Sequence, residues 1–173
     1  MPTNIEIKAR ARNFTDLRRH AEALSDSPVQ AISQEDTFFQ TARGRLKLRQ
    51  VSPEHGQLVY YERTDAFGPK RSDYILAGTS EPSALKTALT AALGVRGVVR
   101  KRRYLYLVGQ TRVHLDEVEG LGEFIELEVV LRPEQSDAEG KAIAQDLMGR
   151  LGVQEEDLLE GAYMDLLEGR EGK

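Results

Sequence analysis

An α+β fold is expected for this chain, an eight-stranded antiparallel β-barrel with helices packed outside, and three segments predict it. In Asn4-Ile5-Glu6-Ile7-Lys8, ionic residues alternate with isoleucines. Alternation has period two, so Asn4, Glu6, Lys8 and Arg10 recur about 7 Å apart along one side of a pleated strand. Arg45, Lys47 and Arg49 alternate with Leu46 and Leu48, and Glu126 and Glu128 alternate with Ile125, Leu127 and Val129. Three strands therefore carry ionic rows opposite apolar ones. A barrel accommodates both, with charge in the lumen and the apolar face covered from outside.

Residues 3–12 read as the first strand. Residues 14–24 form a helix, with Leu17, Ala21 and Leu24 at helical spacing and Asn13 or Thr15 as N-cap. Strands follow at 29–39, 45–51, 57–64 and 71–77, separated by turn signals at Ala42-Arg43-Gly44, Ser52-Pro53-Glu54-His55-Gly56 and Phe67-Gly68-Pro69. A second helix over 82–93 starts with Pro82 in its first turn. It shows Leu85, Ala88, Leu89, Ala92 and Leu93 on one stripe against the barrel wall, and stops at Gly94. Strands at 96–108, 111–118 and 123–132 complete eight, with a tight hairpin at Val108-Gly109-Gln110-Thr111 and Pro133 ending the series. A third helix, 137–150, carries the capping-box pair Ser136 and Glu139 and buries Ile143, Leu147 and Leu151. Leu158 to Leu167 reads as a last helix carrying Tyr163.

With 173 residues, 40% of them hydrophobic, the chain has enough material for one core. A single domain over 1–168 is expected, followed by a disordered tail at 169–173. There is no cysteine, which excludes disulfides and thiolate chemistry. The N-terminal segment has no apolar run of signal-peptide or membrane-spanning length, so a cytoplasmic protein without a membrane partner is expected. A net charge of −4 argues against general nucleic-acid binding, which needs a basic surface to release counterions. Any anion site must be local.

Such local sites are present. Arg45, Lys47 and Arg49, the run Arg100-Lys101-Arg102-Arg103, and Arg112 lie on separate strands. Like charges on neighbouring strands destabilise a sheet unless an anion sits between them, and a polyphosphate supplies one through charge-assisted hydrogen bonds. Strand parity admits either Arg100 and Arg102 or Lys101 and Arg103 inside. Asp116, Glu126, Glu128 and Glu6 offer oxygen ligands for Mg²⁺ or Mn²⁺, with substrate phosphate completing the octahedron. Salt bridges between these acids and the basic rows are an equal reading, compatible with the first when no ligand is bound. Glycine-rich phosphate loops, serine-nucleophile motifs and zinc-spaced histidine pairs are absent, and His20, His55 and His114 are scattered. His114 shares parity with Arg112 and Asp116 and reads as a structural histidine facing the lumen.

These residues together resemble the CYTH family, the triphosphate tunnel metalloenzymes, which include class IV adenylate cyclases, thiamine triphosphatases and inorganic triphosphatases. Asn4-Ile5-Glu6-Ile7-Lys8 is similar to the family's Glu-x-Glu-x-Lys signature, and Gln34-Glu35-Asp36-Thr37-Phe38-Phe39 to its Gln-x-Asp-x-aromatic-Phe segment. Leu46-Lys47-Leu48-Arg49 and Lys101-Arg102-Arg103 resemble its basic motifs. The most specific resemblance is the stretch from Leu115 to Glu128, whose Gly120-Leu121-Gly122-Glu123-Phe124 turn is closest to the class IV cyclase branch.

The resemblance implies a tunnel that holds triphosphate on lysines and arginines and a divalent metal, Mg²⁺ or Mn²⁺, on acids. Carried over residue by residue, it implies Glu6, Asp116, Glu126 and Glu128 as metal ligands. Lys8, Lys47, Arg49, Arg63, Lys70, Lys101, Arg103 and Arg112 then hold phosphates, and Glu6, Lys8, Asp116 and Glu126 are catalytic. Lys101 and Arg103 are chosen because only they match Lys-x-Arg. The implied reaction is conversion of ATP to cyclic AMP and pyrophosphate. A triphosphatase acting on inorganic, nucleoside or thiamine triphosphate, or a catalytically weak polyphosphate-binding protein, is the alternative. The family also implies a homodimer. Three positions depart from its pattern: Asn4 stands for the first acid of the signature, Ser72 for the acid of Arg-x-Glu in Lys70-Arg71-Ser72, and Tyr61 for a lysine.

Overall fold

The ionic rows and their apolar partners lie on eight antiparallel strands, closed into a barrel in the order β1-β5-β4-β3-β2-β6-β7-β8. The computed structural model describes residues 2–63 and 68–171. The strands are β1 (Thr3–Arg10), β2 (Gln30–Phe39), β3 (Arg45–Ser52), β4 (His55–Arg63), β5 (Lys70–Thr79), β6 (Val95–Val108), β7 (Thr111–Val118) and β8 (Gly122–Val130). Register puts unlike charges opposite each other: Asp36 faces Arg49, Arg103 faces Asp116, and Lys8 faces Glu126. Glu6 and Glu128 break the pattern, two carboxylates directly opposite across β1 and β8. Such a pair destabilises a sheet unless a cation compensates it.

Four α-helices accompany the barrel: α1 (Phe14–Leu24), α2 (Pro82–Leu93), α3 (Asp137–Leu151) and α4 (Tyr163–Glu171). Asn13 caps α1 by accepting from the Asp16 amide at 3.1 Å. Ser136 and Glu139 cap α3 reciprocally, at 3.2 and 2.9 Å. The apolar residues of the alternating strands point outward under α1 and α3. Ile5, Ile7, Val113, Leu115, Ile125, Leu127 and Val129 form one core with Leu17, Ala21, Ala144, Leu147 and Leu151. Burial of this outer face closes the barrel's most charged wall, β1, β7 and β8, away from water.

Gly140 permits the closest approach of α3 to that wall. A Cβ there would stand 2.6 Å from both Ile5 Cγ1 and Leu131 Cδ2. Glycine to alanine in a helix interior normally stabilises by about 0.5–1 kcal/mol. Here overpacking against a fully buried isoleucine outweighs it, and Gly140→Ala is expected to destabilise the fold by about 1–3 kcal/mol. Urea denaturation checks the sign.

A second cluster lies inside one end of the barrel, where Phe38, Val59, Tyr61, Val99, Val118 and Phe124 receive Tyr163 and Met164 from α4. Helix α4 is fastened there by Arg45 and Arg96, which bind Asp165 at 2.7 and 2.8 Å, and Arg96 also binds Glu168 at 2.7 Å. This helix starts at Tyr163 instead of Leu158. Leu158 continues the chain in a bridge to Ala9, and the Leu159 amide donates to the Lys8 carbonyl at 2.9 Å. Strand β5 is longer than the expected 71–77, because its two ends find partners on both β1 and β4.

Helix α2 lies against β2, β3 and β4, but its stripe is less buried than its spacing implies. Leu85 and Leu89 are half-buried, Ala88, Ala92 and Leu93 are exposed, and Pro82 is the buried residue. Part of the wall beneath it is ionic: Lys86 of α2 binds Glu35 at 2.9 Å, and Glu35 also binds Arg100. Among the described residues no helix is long and apolar enough to cross a membrane. Thr64 and Phe67, expected in a strand end and a turn, and Gly172 and Lys173 of the expected tail lie outside the described residues.

Candidate active site

A cavity of about 190 Å³ occupies the barrel interior, lined by side chains from all eight strands except β7's buried centre, and floored by Ala162 and Tyr163. Each strand contributes the same parity that the sequence marks as ionic. Asn4, Glu6 and Lys8 come from β1, Lys47 and Arg49 from β3, Arg63 from β4, Lys101 and Arg103 from β6, Arg112 from β7, and Glu126 and Glu128 from β8. Lys101 and Arg103 are buried, whereas Arg100 and Arg102 are exposed. Lys70 is buried on the lumen parity of β5, opposite Glu6 in the β1 register, but does not line the cavity.

The charges form linked groups. Asp36 receives both Arg49 nitrogens at 2.9 Å and has Lys101 Nζ at 3.5 Å and Lys47 Nζ at 3.6 Å. Asp116 receives Arg103 at 2.8 Å through two nitrogens, and the Tyr163 hydroxyl at 2.8 Å. Glu126 lies 3.8 Å from Lys8 and 3.7 Å from Arg103. Glu6 pairs with Arg63 at 3.3 Å. Glu128 faces Arg112 and His114, each at 3.2 Å. Tyr163 underlies the centre, with Lys8 Nζ 3.9 Å and Lys101 Nζ 5.0 Å from its ring centroid.

Seven basic side chains, Lys8, Lys47, Arg49, Arg63, Lys101, Arg103 and Arg112, thus face five carboxylates, Glu6, Asp36, Asp116, Glu126 and Glu128. The excess is positive, and it sits where little water screens it. The strain of this crowding appears in the titration of the groups. Burial, then Arg103, pushes Lys101 down to about 7, and burial, then Arg49, pushes Lys47 down to about 8. Burial, then Glu128 and Glu126, pushes Glu6 up to about 7. Burial, then Arg103, pushes His114 down to about 4, so its imidazole is neutral at pH 7. Burial alone would raise Asp116 and Asp36, but Arg103 holds the first, and Arg49, Lys101 and Lys47 the second, below the usual range.

Lys101 therefore carries a pH signature. An anion bound in the cavity favours the charged amine, so its contribution is present below about pH 7 and fades as pH rises and the free amine loses its proton. The ratio of tripolyphosphate affinities between the wild type and Lys101→Met should be large near pH 6 and shrink towards about pH 9. Calorimetric titration across that range measures it, and the ratio cancels the ligand's own ionisation.

Of the acids marked in the sequence, the geometry gathers Glu126 and Glu128 with His114, their ligand atoms within 4.8 Å of one another. Asp116 is instead clasped by Arg103 and Tyr163, and Glu6 by Arg63. Three participants escape the sequence reading. Asp36 shares parity with Gln34 and Phe38 in the quoted segment, a signal sufficient to place it inside. Tyr163 belongs to a helix remote in sequence, and no spacing rule brings it to the barrel floor. His114, read as structural, leaves its Nδ1 buried without a hydrogen-bond partner. Asn4 and Ser72, the departures from the acidic pattern, are neighbours in register and both buried. Tyr61 adds an apolar ring where a lysine is usual, with Lys47 Nζ 5.3 Å from its centroid.

Comparison with known proteins agrees with this architecture. The chain is similar to the adenylate cyclase CyaB of Aeromonas hydrophila, 29% identical over 174 residues, which span 95% of this chain and 88% of that protein. Among solved structures, the PH1012 protein of Pyrococcus horikoshii OT3 superposes with a TM-score of 0.81 at 29% identity, covering 94% of this chain and 98% of its own. The Hippeastrum protein HpAC1, which has a dominant triphosphatase activity, shares the fold at 16% identity with a TM-score of 0.67, covering 100% of this chain and 97% of its own. The sequence profile of the CYTH domain matches residues 2–163, and the chain belongs to the CYTH family.

Proposed function

We propose that this protein is a divalent-metal-dependent enzyme that grips a triphosphate inside the barrel and converts ATP to cyclic AMP and pyrophosphate. The observation that carries the reading is the convergence of seven basic side chains, interleaved with acids, on one cavity inside the barrel. Guanidinium and ammonium groups arranged around a space match the oxygens of a polyphosphate. The cavity, about 190 Å³, is smaller than the roughly 300–1,000 Å³ of ordinary small-molecule sites, which suits a phosphate chain better than a whole nucleotide. Similarity to the Aeromonas cyclase and the Gly120-Leu121-Gly122-Glu123-Phe124 turn support ATP as substrate.

In this reading Lys8, Lys47, Arg49, Lys101, Arg103 and Arg112 hold the phosphates, with Arg63 lining the cavity beside Glu6 and Lys70 behind them. Glu6, Glu126 and Glu128 face the cation. These residues fit one: Glu6 and Glu128 are opposed carboxylates, Glu6 is pushed up to about 7 largely by burial and that opposition, and the Asn4 Oδ1 is buried without a partner. A bound Mg²⁺ or Mn²⁺ supplies Lewis acidity and lowers the pKa of a coordinated hydroxyl. The basic rows align the α-phosphorus for attack by the ribose 3′-hydroxyl. The 3′-oxygen bonds to the α-phosphorus as the bond from that phosphorus to the oxygen bridging to the β-phosphate breaks. The hydroxyl's proton passes to solvent, and pyrophosphate remains on Lys47, Arg49 and Lys101. Asp116, fixed to Arg103, positions that guanidinium.

A second reading, triphosphatase, is favoured by the cavity's size, since a site that encloses phosphates alone does not require a nucleoside. Incubation of the purified protein with ATP, tripolyphosphate and thiamine triphosphate, each with Mg²⁺ or Mn²⁺, separates the two. Cyclic AMP with pyrophosphate is the expected product, whereas orthophosphate from all three substrates supports the hydrolase and no product leaves a binding protein. The grip itself is tested by Arg49→Ala. Loss of this charged donor is expected to weaken tripolyphosphate binding by about 1.5–3 kcal/mol. Some stability is lost as well, but Asp36 keeps Lys47 and Lys101 as partners, and circular dichroism checks that the variant is folded. Unchanged affinity in a calorimeter would place Arg49 outside the binding surface.

A further inference from the structure

Among the described residues, His114 on β7 and Glu126 and Glu128 on β8 bring ligand atoms within 4.8 Å of one another. His114 stands opposite Glu126 in register and leans to Glu128, its Nε2 3.2 Å from Oε1. Asn4 supplies a second, independent observation. It is 2% exposed, lines the same cavity as both glutamates, and its Oδ1 has no hydrogen-bond partner. Asn4 faces Val130 across β1 and β8, two residues from Glu128, which makes it a diagonal neighbour of Glu128 on the lumen face. A buried acceptor without a donor is destabilising. A cation beside Glu128 would satisfy it.

We infer that His114, Glu126, Glu128 and the Asn4 side-chain oxygen form a mixed nitrogen and oxygen site that takes Mn²⁺ or a later transition-series divalent ion in preference to Mg²⁺, with the imidazole as a direct ligand. This rests on the reading of the tunnel as a metal-dependent triphosphate site and adds its ligand set and metal preference. All-oxygen sites suit Mg²⁺; imidazole suits the transition ions, whose affinity for nitrogen exceeds that of Mg²⁺. The amide in place of a carboxylate at Asn4 acts in the same direction, because it removes a charge that a hard, strongly hydrated ion needs most. Asp116 is outside the set, its two oxygens engaged by Arg103 and Tyr163. His20 and His55 cannot substitute for His114: the first contacts the Leu151 carbonyl and the second Ser52 in the β3–β4 hairpin.

The test is spectroscopic and uses the full chain. With one equivalent of Mn²⁺, electron spin echo envelope modulation of the wild type should show coupling to an imidazole ¹⁴N, absent in His114→Gln. Calorimetry should show Mn²⁺ affinity falling about tenfold or more in that variant, the scale of loss when a metal site's supporting groups are removed, while Mg²⁺ affinity changes far less. Bound Mn²⁺ without nitrogen coupling in the wild type overturns the inference, whatever the variant's folding, and so does the absence of Mn²⁺ binding. Tripolyphosphate titration without metal, on the same sample, distinguishes the two levels. If tripolyphosphate binds, only the imidazole site falls; if it does not, the tunnel reading falls as well.

Discussion

Arg103→Met is expected to destabilise the protein by about 3–5 kcal/mol, because it strands a buried carboxylate. Arg103 and Asp116 are 3% and 0% exposed, joined through two hydrogen bonds of 2.8 Å. Without the guanidinium, Asp116 retains the Tyr163 hydroxyl, too little to stabilise a charge removed from water. The double variant Arg103→Met with Asp116→Asn should recover much of the loss, since a neutral amide beside a thioether leaves no buried charge unpaired. The deficit also has a pH signature. Arg103 holds Asp116 below its ordinary range, so the stability contributed by this pair is present above the unfolded value near 4 and is lost as pH falls through the folded one. The variant's deficit should therefore narrow on acidification. Denaturant titrations at two pH values measure this, and a deficit independent of pH would show that lost packing, not the orphaned carboxylate, dominates.

Asp116 was legible in the sequence as an acid of the right parity, but its partner was not. Parity places a side chain on a face and leaves undetermined which of several cations it meets. That depends on the stagger between β6 and β7, fixed by the tight turn at Gly109 and Gln110. The same limit explains the cluster of His114, Glu126 and Glu128: the two glutamates stand out by alternation, whereas the approach of His114 to Glu128 is diagonal across a ladder. Eight strands, three of the helix positions and the charged lumen follow from periods of two and 3.6 and from caps. The apolar end of the lumen does not. Phe38, Val59 and Val99 occupy ionic parity because α4 inserts Tyr163 there, a contact between residues more than 60 positions apart. The loose seating of α2 was hidden for the opposite reason: its stripe is apolar, but the wall it meets includes the Glu35 ion pairs.

Glu126→Gln should abolish metal-dependent turnover while leaving metal-free tripolyphosphate binding intact or tighter. The amide preserves shape and removes the charge, and Glu126 Oε2 lies 3.8 Å from Lys8 Nζ and 3.7 Å from Arg103 Nη2. Both cations then turn wholly to phosphate, and one repelling carboxylate is gone. Loss of phosphate affinity in this variant would mean that Glu126 organises the basic rows instead of facing the metal. The converse substitution, Asn4→Glu, is the sharper measurement. It places a third carboxylate next to Glu6 and Glu128, which already oppose each other in register. The metal-free variant should accordingly be less stable than the wild type, and saturating Mn²⁺ should stabilise it more, because a ligand that binds the folded state contributes RT ln(1 + [L]/Kd). Its melting temperature should therefore respond to Mn²⁺ more steeply than that of the wild type, with any slow turnover accelerated. Equal Mn²⁺ responses in the two proteins would show that a carboxylate at position 4 gains nothing from the ion, and would remove Asn4 from the ligand set.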